Sequence, residues 1–414
     1  MSKIKDIKAR EILDSRGDPT VEATVVFESG AVGSAKVPSG ASVGKFEAHE
    51  KRDGDEKRYL GRGVLSAVGA VNGSIREALI GMNGENLRLI DTTMLELDGT
   101  ENKEALGANA TLAVSIAVAR AAANHRNIPL YEHLGGALGR SLPIPMLNII
   151  NGGAHASNNL DIQEFMIIPI GDIPFRERIR KSAEIYKTLG KILKQKGYAT
   201  TVGDEGGYAP SLENDEHALA LIMQAVAEAG YTDREIKLGL DIASSEWCKD
   251  GKYELPKRRV KLTAEELCDY YERLIEKYPM ISIEDGVGEE DYDGWRRLTK
   301  RLGKDVALIG DDLFVTNKER LLMGIKNGLG NGILIKPNQI GTVTETFDVV
   351  KTAKENGYRV IASHRSGETE DTFIADLAVG LGTPYIKSGA PARSERLSKY
   401  NRLCEIEEEI SEKA

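Results

Sequence analysis

Beyond Gly230 the chain alternates short apolar runs with longer charged stretches. The runs read KLGLDIAS, MISIEDG, VALIGDD, GILIKPNQ, YRVIASHRSG and TPYIKSG, and the sequence between them has helical spacing. Such alternation predicts βα units and a parallel sheet. The polar residues that end the runs are Asp241, Glu284, Asp311, Lys336, His364 and Lys387. The last five lie roughly 25 positions apart, close to one βα unit of a barrel, so all six are expected at the same barrel end. From Met1 to about Arg140 the pattern is mixed. Strand-like alternation at Val21 to Phe27 and Ala31 to Val37 gives way to helical stretches at Leu65 to Leu79 and Ala108 to Asn124, which predicts an α+β domain. SLPIPMLNIINGG, Ser141 to Gly153, leads through two prolines into an apolar run that stops at a glycine pair. The boundary is placed just before it, giving domains 1–137 and 138–414. The charged tail EIEEEISEKA is expected to end a surface helix.

At 414 residues the chain exceeds what one core usually supports, which agrees with two unequal domains. No stretch approaches the roughly 18 apolar residues of a membrane span, so no membrane insertion is expected. The opening MSKIKDIKAREILDSRG mixes charged and apolar residues, unlike a secretory leader, and a cytoplasmic address is the expectation. A net charge of -9 opposes direct nucleic-acid binding. Cys248, Cys268 and Cys404 have neither paired spacing nor nearby histidines, which argues against zinc and against a disulfide framework.

Asp241, Glu284 and Asp311, converging at a barrel mouth, would repel one another unless a cation neutralised them. Oxygen-only ligands favour magnesium or manganese over zinc. Any one of the three could instead be a solvated loop acid. It is their common phase on successive strands that favours the metal. Lys336 and Lys387 end apolar runs and point into the same mouth, although a lysine snorkelling with a dry stem is the alternative. Two amines beside a metal are expected to lower each other's pKa and free one as a base. Glu205 in GDEGGYAP lies at a glycine-rich loop tip, and His155 in NGGAHASNN follows two glycines. Neither loop is specific alone. Gln163 and Glu164 in IQEFMIIP open a strand, either as site residues or simply as a solvated start. Arg365 and Ser366 in SHRSGETED suit a phosphate. SGASVG, Ser39 to Gly44, lacks the lysine and spacing of a P-loop.

Taken together and in order, LDSRGDPTVE, SGASVG, NGGAHASNN, QEFM, GDEGG, SIEDG, GDDL, KPNQIG, SHRSGETED and SGAPARSER resemble the enolase family, in its bacterial form. The resemblance implies an α/β protein whose N-terminal α+β domain packs on a modified TIM-type (β/α)8 barrel. It also implies a hydro-lyase acting on 2-phosphoglycerate and phosphoenolpyruvate, in a cytoplasmic homodimer, with octamers and a surface or secreted pool among some bacterial relatives. Carried over by motif, Asp241, Glu284 and Asp311 hold one Mg2+, and a second arrives with substrate near Ser42, whose loop is expected to be mobile. Lys336 becomes the base. Glu205 with Glu164 serves the departing hydroxyl, and Lys387, His155, His364, Arg365 and Ser366 hold substrate together with Ser42. Three departures stand out: Val43 replaces the family's threonine, KFEA follows it, and Asp18 replaces an asparagine. Val43 and the altered loop motivate the competing reading of a non-catalytic interaction protein, which intact Lys336 and Glu205 argue against. A relative acting on another carboxylate, such as a sugar-acid dehydratase or racemase, is the third.

Overall fold

The computed structural model describes residues 2–40, 44–136, 140–249 and 251–413. Ser42, Val43 and the proposed domain join at 137/138 therefore lie outside the described residues. The N-terminal part opens with an antiparallel sheet of β1 (Ile4–Leu13), β2 (Pro19–Phe27) and β3 (Val32–Lys36). β1 is not among the strands the sequence predicts, its apolar and polar residues being equal in number and not strictly alternating. The helix Ala108–Arg126 lies on β2 and β3, and its alanine-rich composition lets it approach closely while burying nearly its whole length. Arg120 is one of this helix's links to the barrel, with both Nη atoms on Asp371 at 2.6 Å, and Thr111 is another, donating to the Gly341 carbonyl at 2.8 Å.

The second part is a closed barrel. Its strands are β4 (Ile144–Asn151), β5 (Glu164–Pro169), β6 (Ile236–Asp241), β10 (Met280–Glu284), β11 (Ala307–Gly310), β12 (Gly332–Ile335), β13 (Arg359–Ser363) and β14 (Tyr385–Lys387). Between β6 and β10 the chain forms a small outlying sheet of β7 (Cys248–Lys249), β8 (Lys252–Leu255) and β9 (Val260–Leu262). The predicted apolar runs all become barrel strands, and β14 closes on β4 in parallel. Only β5 departs from the parallel sheet, running antiparallel to both neighbours. The tail is helical as expected, within Ser394–Glu412. Yet Arg396 and Lys399 in that helix are fully buried, which its charge-rich sequence does not suggest.

The two parts also meet where Asp91, on the helix Leu87–Asp98, accepts the Thr344 backbone N–H at 2.9 Å. Burial pushes the Asp91 carboxyl up to about 6 from an ordinary 3.8. Because the folded value is the higher, its stabilising contribution is complete below about pH 4 and is lost as pH rises through 6. An Asp91→Asn variant keeps an acceptor for Thr344 but cannot titrate. Urea unfolding at pH 4 and pH 7 should show wild type losing about 3 kcal/mol relative to this variant on going to the higher pH. An unchanged difference would contradict the shift.

Candidate active site

The strand ends converge as predicted. The register sets Glu284 beside Asp241, and Glu164 beside Asp241 on the other side. Because β5 runs backwards, it is its first residue, Glu164, that reaches the mouth where the parallel strands end. Of the predicted site residues that are described, all except Glu284 line one pocket. Glu284 lies beneath it, fully buried, with both carboxylate oxygens 3.0 Å from Lys387 Nζ.

Lys387 is 2% exposed and is shared among acids: its Nζ lies 3.0 Å from Glu164, 3.1 Å from Asp241 and 3.0 Å from Glu284. Burial alone would lower its pKa, but these carboxylates hold it well above the ordinary lysine range. Lys336 pairs with Asp311, and this too outweighs burial and raises the amine. Lys387 does act to lower Lys336, as expected of neighbouring amines, but the net direction is set by the acids. Each faces carboxylates at contact distance, and those dominate over the other amine.

The acids carry the complementary strain. Asp285 follows Glu284 at φ +43° and accepts the backbone N–H groups of Asp311 and Asp312, at 3.0 Å each. Burial, then its two acidic neighbours, raise Asp285 well above the usual range, and burial with Asp311 pushes Asp312 up to about 8. Potential ligand atoms of Asp285, Asp311 and Asp312 lie within 4.8 Å of one another. Acids kept close enough to suppress each other's ionisation suit a hard divalent cation, which would let them ionise together. Asp285 serves largely as a clamp on the backbone. The grouping differs from the expected Asp241, Glu284 and Asp311, because the two lysine amines stand among those three. Gln339 adds support that the sequence did not reveal, donating to Asp311 Oδ1 at 3.0 Å while Thr316 donates to its own oxygen at 2.8 Å.

Across the mouth His155, Glu164 and Glu205 form a second tight group. Glu205 sits in the turn between the helices Phe175–Gln195 and Asp215–Glu228, where Gly206 adopts φ +85°. The turn is pinned by Tyr208 N–H to Ile149 on β4, at 2.9 Å, and Asn148 donates to Glu205 Oε2 at 3.0 Å. His155 Nδ1 stands 3.5 Å from Glu164 and 3.7 Å from Glu205, and His364 Nε2 lies 3.5 Å from Glu205. Arg396 donates to His364 Nδ1 at 2.7 Å, which leaves the imidazole proton on Nε2, facing Glu205. Burial pushes His364 down to about 3, so it is neutral near neutrality. Burial and the charge of Glu205 raise Glu164 well above the usual range. Burial would raise Glu205 as well, but His364 and His155 beside it hold it well below that range.

Arg365, also buried, directs its guanidinium at Glu47, 2.9 Å away. Glu47 in turn accepts from Gly44 N–H at 3.0 Å and Gln339 at 3.3 Å, so the end of the SGASVG segment is clasped to the barrel through a carboxylate the sequence gave no reason to single out. At its other end Ser39 exchanges backbone hydrogen bonds with Gly367, at 2.7 and 2.9 Å. Arg396 fixes the phosphate-suited segment from below, donating to the carbonyls of Arg365 at 2.5 Å and Ser366 at 2.6 Å. With these side chains drawn together the pocket has a volume of about 40 Å³, room for little more than water.

Two family models match the chain. One, described as the enolase N-terminal domain, covers residues 4–134, and the other, described as the enolase C-terminal TIM barrel domain, covers residues 139–414.

Proposed function

The chain belongs to the enolase family, whose members are magnesium-dependent lyases, and we propose that it catalyses the reversible dehydration of 2-phosphoglycerate to phosphoenolpyruvate. The observation that carries this reading is the pairing of Lys336 and Lys387 with strand-end acids, facing a Glu164 and Glu205 pair across the same pocket whose carboxyls are driven in opposite directions. Dehydration next to a carboxylate needs a base on one face and a proton donor for departing hydroxide on the other.

In this reading Asp241, Glu284 and Asp311 hold one Mg2+ and Ser42 contributes to a second. Magnesium would supply positive charge to offset the second negative charge that builds on the substrate's carboxylate when its neighbouring proton leaves. Lys387 adds a fixed cation for the same purpose. A positive charge at about 4 Å offsets on the order of 4 kcal/mol at an effective dielectric of about 20. Lys336 takes the proton, and since it can do so only as the free amine, its pairing to Asp311 must be broken in the working site. Glu205 together with Glu164 serves the departing hydroxyl, the raised Glu164 being the partner that favours its protonated form. His155, His364, Arg365 and Ser366 orient substrate, Arg365 by exchanging the Glu47 carboxylate for phosphate. The narrow pocket means that substrate entry has to part these side chains.

A magnesium-dependent ultraviolet assay on 2-phosphoglycerate tests the proposal, and absence of turnover by pure, metal-loaded protein would overturn it. Metal binding has its own readout. Magnesium at a hundred times its Kd should stabilise the fold by about 2.7 kcal/mol, seen by calorimetry as a higher Tm that chelation reverses. Asp311→Asn should lose most of that increment.

A further inference from the structure

The floor of the barrel, opposite the acidic mouth, is incompletely filled. Barrels of this type usually pack their interior with layers dominated by branched side chains. Here three cross-strand neighbours in one layer are small: Gly239 on β6 pairs with Ser282 on β10, and Ser282 with Ala307 on β11. They face inward. A methyl group on Gly239 would lie 2.5 Å from Ser282 Oγ, 3.2 Å from Ile168 Cδ1 and 3.6 Å from Met146 Cε. The space beside Gly239 is thus filled by these side chains, whereas Ser282 and Ala307 border a cavity of about 300 Å³ lined also by Met146, Ile168 and Ile361. That size is at the small end of the roughly 300–1,000 Å³ usual for ligand sites.

Two further observations point to an occupant. Ser282 is only 3% exposed, yet its Oγ has no hydrogen-bond partner among the described residues. At the floor end the lining includes Lys237 and Arg359, neither of which forms an ion pair among the described residues, against the single carboxylate of Asp305. A largely apolar chamber beneath a net positive rim matches an amphiphile with an anionic head, its tail beside the isoleucines and the Ser282 hydroxyl left to water. Inorganic anions have nothing to gain from the apolar interior, and a neutral hydrocarbon leaves the rim cations unused.

We propose that the barrel floor binds a medium-chain monocarboxylate such as octanoate, with its tail among Met146, Ile168 and Ile361 and its carboxylate at the rim with Lys237 and Arg359. Gly239 and Ser282 lie two residues before Asp241 and Glu284 on the same strands, so the tail ends one inward-facing layer, about 7 Å, below the mouth acids. The site is independent of the dehydration chemistry, and its residues take no part in it.

Calorimetric titration of the full chain with sodium octanoate tests this, with sodium acetate and 1-octanol as comparisons. The expected result is saturable binding of one octanoate per chain and none of acetate. Ala307→Leu fills the cavity and should abolish octanoate binding. The surface variant Lys237→Ala with Arg359→Ala leaves the packing untouched and should weaken octanoate by about tenfold while sparing octanol. Absence of saturable octanoate binding below its micelle-forming concentration would overturn the proposal. So would equal affinity in the folded Ala307→Leu protein, or equal loss of octanol and octanoate in the rim variant.

Discussion

Replacing Lys336 with alanine is expected to abolish exchange of the 2-phosphoglycerate C2 proton with solvent deuterium and to lower turnover by about 10² to 10⁴-fold, the usual contribution of a positioned base. Magnesium affinity should survive, because the substitution removes the cation paired with Asp311 and leaves the carboxylate in place. Proton exchange followed by NMR and magnesium titration by calorimetry separate the two effects. Retained exchange would overturn the assignment of the base. Loss of magnesium binding instead would mean that Lys336 organises the acids rather than receiving a proton.

Glu205→Gln should divide the reaction differently. The glutamine oxygen still accepts from Asn148, so the turn that presents it is expected to hold. It cannot exchange protons with Glu164, and formation of phosphoenolpyruvate should fall by about 10² to 10⁴-fold. Lys336 is unaltered, and C2 exchange should persist in the same sample. Parallel loss of exchange and dehydration would show that the carboxyl pair does more than serve the departing hydroxyl.

Much of this site is legible along the chain because barrel strands advertise themselves as short apolar runs, and the residue that ends each run inherits a known position. Asp241, Asp311, Lys336, His364 and Lys387 were found that way. Glu164 was harder, since an apolar run carries no mark of its direction and only an antiparallel β5 puts its first residue at the mouth. Partners were less legible still. Nothing in the spacing of Lys387 foretells three acids around its amine, or that Lys336 would meet Asp311 and be raised rather than lowered. Glu47 becomes visible only once the first domain closes on the barrel, and Gln339 only once the loop after β12 folds beside Asp311. Arg396 lies in a stretch whose charge reads as solvent-facing, but in the interior both its Nη atoms donate to backbone carbonyls from two loops and to the His364 ring.

The reversed strand also determines how the acid of this site is delivered. A parallel β5 would finish at the mouth, and its single crossover helix would carry the chain straight back down to β6. As it is, β5 finishes at the floor, where Pro169 lies beside Ile236. The connection to β6 must therefore climb the outside of the barrel and descend again. The helix Phe175–Gln195, about 30 Å long at 1.5 Å per residue, is the ascent, and Asp215–Glu228 is the return. Glu205 stands at the summit between them. Grafting an ordinary βα unit into this position would preserve a closed barrel and its lysines, yet it would remove the only excursion that brings this carboxyl over the mouth.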